Sequence, residues 1–115
     1  MSVPVLKQGD LLLASIQSAL SDADLVGLRE ELVEKVGRFR STGVIIDVTT
    51  LDVLDSFATR NLRSIAYMTR LRGAETVIVG IQPDVAFSMV QLGLTLEDIT
   101  TALDLEEGLE TLRRR

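Results

Sequence analysis

The residues of this chain best suited to chemistry are one serine and the aspartates around it. The apolar segment Gly43-Val-Ile-Ile-Asp-Val-Thr49 precedes Asp52-Val-Leu-Asp-Ser-Phe57, after which a helical pattern begins. This order places the hydroxyl of Ser56 where a buried strand gives way to a helix. The acidic residues near it are Asp47, Asp52 and Asp55. A serine in this setting could carry a phosphate, and the carboxylates could hold Mg²⁺ or accept a phosphoryl group.

Ser56 has two interpretations, an N-cap and a phosphorylation site, and its position alone favours the N-cap. A serine at a helix start is commonly an N-cap, because its oxygen accepts a hydrogen bond from the second or third helical amide. The same helix start offers free backbone N–H groups and a partial positive charge, which suit a phosphate. Ser56 is therefore either a capping residue or a phosphorylation site.

The aspartates and glycines give little support to a metal or nucleotide site. No suitable acidic pair follows the first strands and no lysine follows a later one, as a receiver-type phosphoryl site would need. An aspartate near a helix start is more often a cap or turn residue. The glycines form neither G-x-G-x-x-G nor G-x-x-x-x-G-K-[ST]. We expect no metal and no cofactor.

Composition excludes several classes of enzyme and binding protein. The 115 residues include no Cys and no His, which removes thiolate nucleophiles, imidazole bases and nearly all zinc sites. Catalytic triads of serine or cysteine with histidine are therefore excluded, and only Lys7 and Lys35 remain as lysine partners for a serine nucleophile. A net charge of −5 and the absence of Trp argue against nucleic-acid binding. No leader or long apolar run is seen, which predicts a cytoplasmic protein without membrane contact.

The apolar pattern predicts one α/β domain over residues 1–115, with helices packed on a mixed β-sheet in the order ββαβαβαβα. Strands are predicted at residues 3–7, 11–16, 44–48, 76–80 and 99–102. The first helix is expected to begin at Ser21 and to stop near Gly43, with Phe39 extending its buried stripe. Later helices are expected from near Ser56, from Pro83 and from Asp104.

The second helix has two distinct faces. Its buried face is predicted from the i, i+3, i+4, i+7 spacing of Leu62, Ile65, Ala66 and Thr69. The opposite face carries Arg60, Arg63, Ser64, Tyr67 and Arg70. Such a face is either solvated or a partner surface.

Three separated motifs resemble one family. These are the strand, loop and Asp-Ser helix start of residues 44–57, Val77-Ile-Val-Gly-Ile-Gln-Pro-Asp-Val-Ala86, and residues 92–109. Together they resemble the STAS domain of anti-anti-sigma factors over essentially the whole chain. The second and third motifs are more similar still to the RsbS type, the small single-domain STAS component of the stressosome.

The resemblance implies a non-enzymatic scaffold and antagonist. RsbS-type proteins assemble with RsbR-type STAS sensors and sequester an RsbT-type serine/threonine kinase. Under stress the kinase phosphorylates the STAS serine and is released, and an RsbX-type phosphatase resets the system. The matching phosphoacceptor is Ser56, with Thr59 as the less favoured second site because it lies one turn into the helix.

The residues expected to bind partners surround that serine: Asp55, Ser56, Phe57, Arg60, Arg63 and Tyr67. Self-association is also expected. Three alternatives remain open at this point. The chain could be an anti-sigma factor antagonist of the SpoIIAA/RsbV type, a STAS module that binds a small ligand such as a nucleotide or lipid, or a small enzyme that uses Ser56 or the aspartates.

Overall fold

The structure is a computed structural model that describes residues 3–18 and 20–114. The ends of the predicted domain, residues 1, 2 and 115, lie outside the described residues. In chain order the elements are β1 Val5–Gln8, β2 Leu11–Ser15, α1 Asp22–Phe39, β3 Gly43–Asp47, α2 Ser56–Leu71, β4 Glu75–Val79, α3 Pro83–Gln91, β5 Thr100–Ala102 and α4 Leu105–Arg113. The predicted order ββαβαβαβα is confirmed.

The five strands form one mixed sheet in the order β1-β2-β3-β4-β5. β1 and β2 are an antiparallel hairpin, and the turn at Gly9 has a φ of 60°, which glycine adopts without a steric penalty. β2, β3, β4 and β5 are mutually parallel. Their carboxyl ends therefore share one edge of the sheet, and the chain leaves β3 at that edge to reach α2.

Helices cover the two sheet faces unequally. The larger core packs Leu12, Val44, Ile46 and Ile78 of the sheet against α1, α2 and α3, and all four side chains are buried. On the other face, Ile45, Val77 and Val79 pack against α4. These two sets alternate along β3 and β4, which is why both strands are apolar throughout, as expected for strands buried on both faces.

The first helix begins as predicted but ends earlier. Ser21 and Asp24 form a capping box, with the Ser21 hydroxyl accepting from the Asp24 amide at 3.1 Å. Hydrogen bonding with Ser21 lowers the pKa of the Asp24 carboxyl below its usual value. At the other end, Arg40 in the left-handed region (φ 53°) is the C-cap. The expectation that Gly43 stops the helix is wrong.

Gly43 instead begins β3, and its lack of a side chain serves packing. A Cβ there would lie 2.7 Å from Leu11 Cδ2 and 2.8 Å from Leu112 Cδ1. Phe39 also departs from expectation, since it is 37% exposed and does not extend the buried stripe. The centre of its ring lies 5.8 Å from Lys7 Nζ and 5.5 Å from Arg38 Cζ, close enough for cation–π contacts.

Candidate functional site

The segment between β3 and α2 is fixed by buried leucines and by a threonine hydroxyl. Leu51 and Leu54 are 7% and 4% exposed and anchor the segment in the larger core. The Thr50 hydroxyl donates at 2.9 Å to the carbonyl groups of Ile16 and Gln17, which follow β2. These contacts set the point at which α2 begins.

The N-cap of α2 is Asp55, and Ser56 is the first helical residue. The Asp55 carboxylate accepts a hydrogen bond from the Ala58 amide at 2.7 Å, and the Asp55 carbonyl accepts from Thr59 at 2.9 Å. The prediction that Ser56 lies at a helix start is confirmed. The interpretation of Ser56 as the cap is wrong, because the preceding carboxylate occupies that role.

The Ser56 side chain is exposed and makes no hydrogen bond to another residue within the described ranges. As the first helical residue, Ser56 also has a backbone N–H with no intrahelical acceptor, and so does Phe57. Phe57, one of the residues expected to bind partners, is half-buried. A group attached to the Ser56 oxygen can therefore extend into solvent without breaking a hydrogen bond within the described ranges.

Thr59 is in a different environment. It is 2% exposed, and its hydroxyl oxygen has no hydrogen-bond partner among the described residues. Asn61, on the same helix, is 4% exposed with a similarly unpartnered Oδ1. The Thr59 hydroxyl is therefore accessible only after local opening of α2, whereas the Ser56 hydroxyl is accessible in the folded protein.

The exposed face of α2 carries a stripe of positive charge. Arg60, Arg63 and Tyr67 lie on it, and all three are exposed, with Tyr67 at 61%. α2 contains no acidic residue, and within residues 3–18 and 20–114 no carboxylate forms a salt bridge with its arginines. In a chain of net charge −5, this helix is a local positive surface.

This stripe forms one wall of an open cleft of about 540 Å³. Its lining includes Arg60, Arg63, Ser64, Tyr67, Arg70 and, from the segment before β5, Asp98 and Ile99. Arg70 donates to the Asp98 carbonyl at 2.9 Å, which joins the two walls. No local pattern predicts that Asp98 lies beside α2, because it is 28 residues from Arg70 and belongs to no apolar repeat.

Two of the aspartates near Ser56, Asp47 and Asp55, have structural roles. Asp47 Oδ1 accepts from the Thr49 amide at 2.9 Å and from the Thr49 hydroxyl at 2.5 Å, which shapes the turn after β3. Asp55 is the cap. Across the described part of the chain, no group of three or more acidic side chains is arranged to hold a metal ion.

Among residues 3–18 and 20–114, no helix combines the length and the apolar character that crossing a bilayer requires.

The family pattern described as STAS domain matches residues 2–108. A solved structure of a serine-to-glutamate variant of RsbS from Moorella thermoacetica is 35% identical, covers 97% of this chain and 95% of that chain, and superposes with a TM-score of 0.83. A second solved structure comes from the molecular architecture of the stressosome, a signal integration and transduction hub. It is 33% identical, the match covers 96% of each chain, and the TM-score is 0.77.

Among characterised sequences, the RsbT co-antagonist protein RsbRA of Bacillus subtilis (strain 168) is 32% identical over 84 residues, which is 73% of this chain and 31% of RsbRA. The chain thus spans about a third of the length of that relative. The fold, the family pattern and these relatives agree, and the protein belongs to the STAS domain family, with a structural match to RsbS and sequence similarity to RsbR-type proteins.

Proposed function

We infer that this protein is a non-enzymatic, phosphorylatable scaffold of a stressosome. In this proposal it assembles with further copies of itself and with RsbR-type STAS proteins, and together they sequester an RsbT-type serine/threonine kinase. Phosphorylation of Ser56 releases the kinase, and an RsbX-type phosphatase restores the starting state. The proposal draws on the similarity to RsbS, to a stressosome structure and to an RsbT co-antagonist.

The observation that carries the proposal is the setting of Ser56. Its hydroxyl is exposed at the first residue of α2, while the capping role belongs to Asp55. The fold therefore does not depend on the hydroxyl, which leaves it free for modification. Thr59, buried within the same helix, lacks this freedom.

The expected effect of phosphorylation follows from charge. A phosphate adds about −1.5 to −2 charges at pH 7. The helix start attracts it, whereas the exposed carboxylates of Asp52 and Asp55 repel it. These effects oppose each other within the domain, so the fold persists. A partner seated over Ser56 meets a new charge with no matching group, and its affinity falls.

The partner surface in this proposal extends from Ser56 along the exposed face of α2. Phe57 contributes an apolar contact at the helix start, and Arg60, Arg63 and Tyr67 contribute charge and an aromatic ring. Arg and Tyr are enriched among residues that dominate binding energy. Because the arginines have no carboxylate partner within the described chain, an acidic partner surface would gain ion pairs without breaking any.

The test is reconstitution from purified components. The chain is mixed with an RsbR-type STAS protein and an RsbT-type kinase, and co-elution on size exclusion is recorded before and after addition of Mg-ATP. We expect one large complex containing the kinase, loss of the kinase after ATP, and phosphate at Ser56 by mass spectrometry. Absence of a complex, or phosphate confined to another residue, would contradict the proposal.

A further inference from the structure

Ser56 and Arg60 lie one turn apart on the exposed stripe of α2. Residues four positions apart on a helix have Cβ atoms about 5–6 Å from each other. Long helical side chains tend to lean toward the helix N-terminus, so an Arg60 rotamer that reaches a group on the Ser56 oxygen is sterically ordinary. Within residues 3–18 and 20–114, no carboxylate forms a salt bridge with the Arg60 guanidinium.

We propose that Arg60 binds the phosphate of phosphorylated Ser56 within the same chain. This rests on the proposed function only in taking Ser56 as the phosphoacceptor. A guanidinium can donate two parallel hydrogen bonds to phosphate oxygens, and such charge-assisted bonds are about twice as strong as neutral ones. On α2, Arg63 lies three residues further from Ser56, and Arg70 is held by the Asp98 carbonyl.

The surroundings explain why such a partner matters. Asp52 and Asp55 precede Ser56, and Asp22 at the start of α1 lines the same small cavity as Asp55. These carboxylates disfavour a dianion at Ser56, whereas Arg60 favours it. The carboxylates repel the phosphate, and the free backbone amides at the start of α2 attract it. The Arg60 guanidinium adds to that attraction.

The pairing also connects the phosphate to the cleft. Arg60 lines that cleft together with Arg63 and Tyr67. When Arg60 turns to the phosphate, its charge is withdrawn from the surface that would face an acidic partner. One modification therefore changes two parts of the surface: negative charge appears at the helix start, and positive charge is neutralised one turn further along.

The test is a phosphate titration that requires no kinase. Phosphoserine is incorporated at position 56 during synthesis, and the second pKa of the phosphate is measured by ³¹P NMR. The reference is the phosphorylated chain that is otherwise wild type. Relative to it, Arg60→Gln should raise the second pKa of the phosphate by about 0.5 unit, because it removes a cation that favours the dianion. Arg60→Lys should restore part of the effect. Arg63→Gln, the matched control, should shift the pKa by less than half as much.

The outcomes separate this inference from the proposed function. Equal shifts for Arg60→Gln and Arg63→Gln, or no shift for Arg60→Gln, would overturn the pairing even if phosphorylation releases a kinase. A selective shift for Arg60→Gln would support the pairing even if no kinase binds. Arg60 is exposed, so amide spectra of the unphosphorylated variants should match wild type and exclude misfolding as the cause.

Discussion

The Asp55 carboxylate accepts the Ala58 amide at 2.7 Å, so α2 is capped by the residue that precedes Ser56. Capping therefore does not use the Ser56 hydroxyl, which leaves it available for the proposed phosphorylation. Asp55 satisfies an amide that the first helical turn leaves without a backbone acceptor, and Ser56 contributes no hydrogen bond within the described chain. Substitution of Asp55 should therefore affect stability much more than substitution of Ser56.

Asp55→Ala should lower the free energy of unfolding by about 1 kcal/mol and the melting temperature by roughly 3–6 °C, because the cap is lost. Ser56→Ala should change the melting temperature by no more than about 1 °C, since surface changes without a contact have small effects. Thermal unfolding monitored by circular dichroism compares them directly. A larger loss for Ser56→Ala than for Asp55→Ala would contradict the assignment of the cap.

Kinase binding should distinguish Ser56→Ala and Ser56→Asp from wild type. Ser56→Ala should retain an RsbT-type kinase after addition of Mg-ATP, because no phosphate can form at that position. Ser56→Asp should bind the kinase roughly tenfold more weakly, because it adds a charge beside Asp55. Calorimetric titration of the kinase into wild type and both variants measures this. Equal affinity for all three proteins would show that Ser56 does not control kinase release.

Much of this arrangement follows from sequence alone. The alternation of buried strands with helical stripes predicts the order of elements, and the spacing of Leu62, Ile65 and Thr69 predicts the buried face of α2; all three residues are buried. Such periodicity arises from the sheet and helix repeats themselves, so no tertiary information is needed to read it.

The remaining features depend on contacts that a local pattern does not contain. Ser56 and Asp55 are both good N-caps, and the choice between them depends on where buried Leu54 places the chain. Gly43 resembles a helix stop, but its role is set by Leu11 and Leu112, which are distant in sequence. The second wall of the cleft likewise comes from a segment whose approach to α2 only the fold determines.

The partner surface is tested by charge reversal. Arg60→Glu and Arg63→Glu should each weaken binding of the kinase or of an RsbR-type STAS protein, while thermal stability stays near that of wild type because both side chains are exposed. Arg38→Glu on α1 is the matched control, since it makes the same change in net charge away from α2. Affinity loss of the same size in Arg38→Glu would indicate a general charge effect.

Phe57→Ala extends the same test to the apolar part of that surface. It should also weaken binding, with a small loss of stability because the ring is half-buried. Normal binding by Phe57→Ala together with both α2 charge reversals would place the contact on another face of the domain.

A buried pair of hydroxyl groups gives an asymmetric prediction. The Thr69 and Thr76 oxygens lie 2.8 Å apart, and Thr69 also donates to carbonyl groups of its own helix. Thr69→Val should cost about 1–3 kcal/mol, because it leaves the Thr76 hydroxyl buried without this partner. Thr76→Val should cost less, since Thr69 keeps its carbonyl acceptors. Urea unfolding of the two variants provides the comparison, and the reverse order would contradict the account.

Two helical glycines should respond oppositely to alanine. Gly27 in α1 has no neighbouring atom within 4 Å of an added Cβ, so Gly27→Ala should stabilise the protein by about 0.5–1 kcal/mol. At Gly108 in α4, a Cβ would lie 2.7 Å from Val79 Cγ1, so Gly108→Ala should destabilise by roughly 1–3 kcal/mol. Urea unfolding checks both signs, and a gain in stability for Gly108→Ala would show that α4 moves away from the sheet without penalty.

The Ser56 hydroxyl is exposed and lies outside the described hydrogen-bond network, which bears on how long a phosphate placed there would persist. Neither the core nor the Asp55 cap involves that oxygen, so an ester formed on it would leave both in place. A signal recorded there would be stored in a covalent bond, so it would not decay on the microsecond-to-second scale of conformational relaxation. Its persistence would equal the interval before another protein hydrolyses the ester. The duration of the response would then be set by the rate at which a separate enzyme hydrolyses the ester.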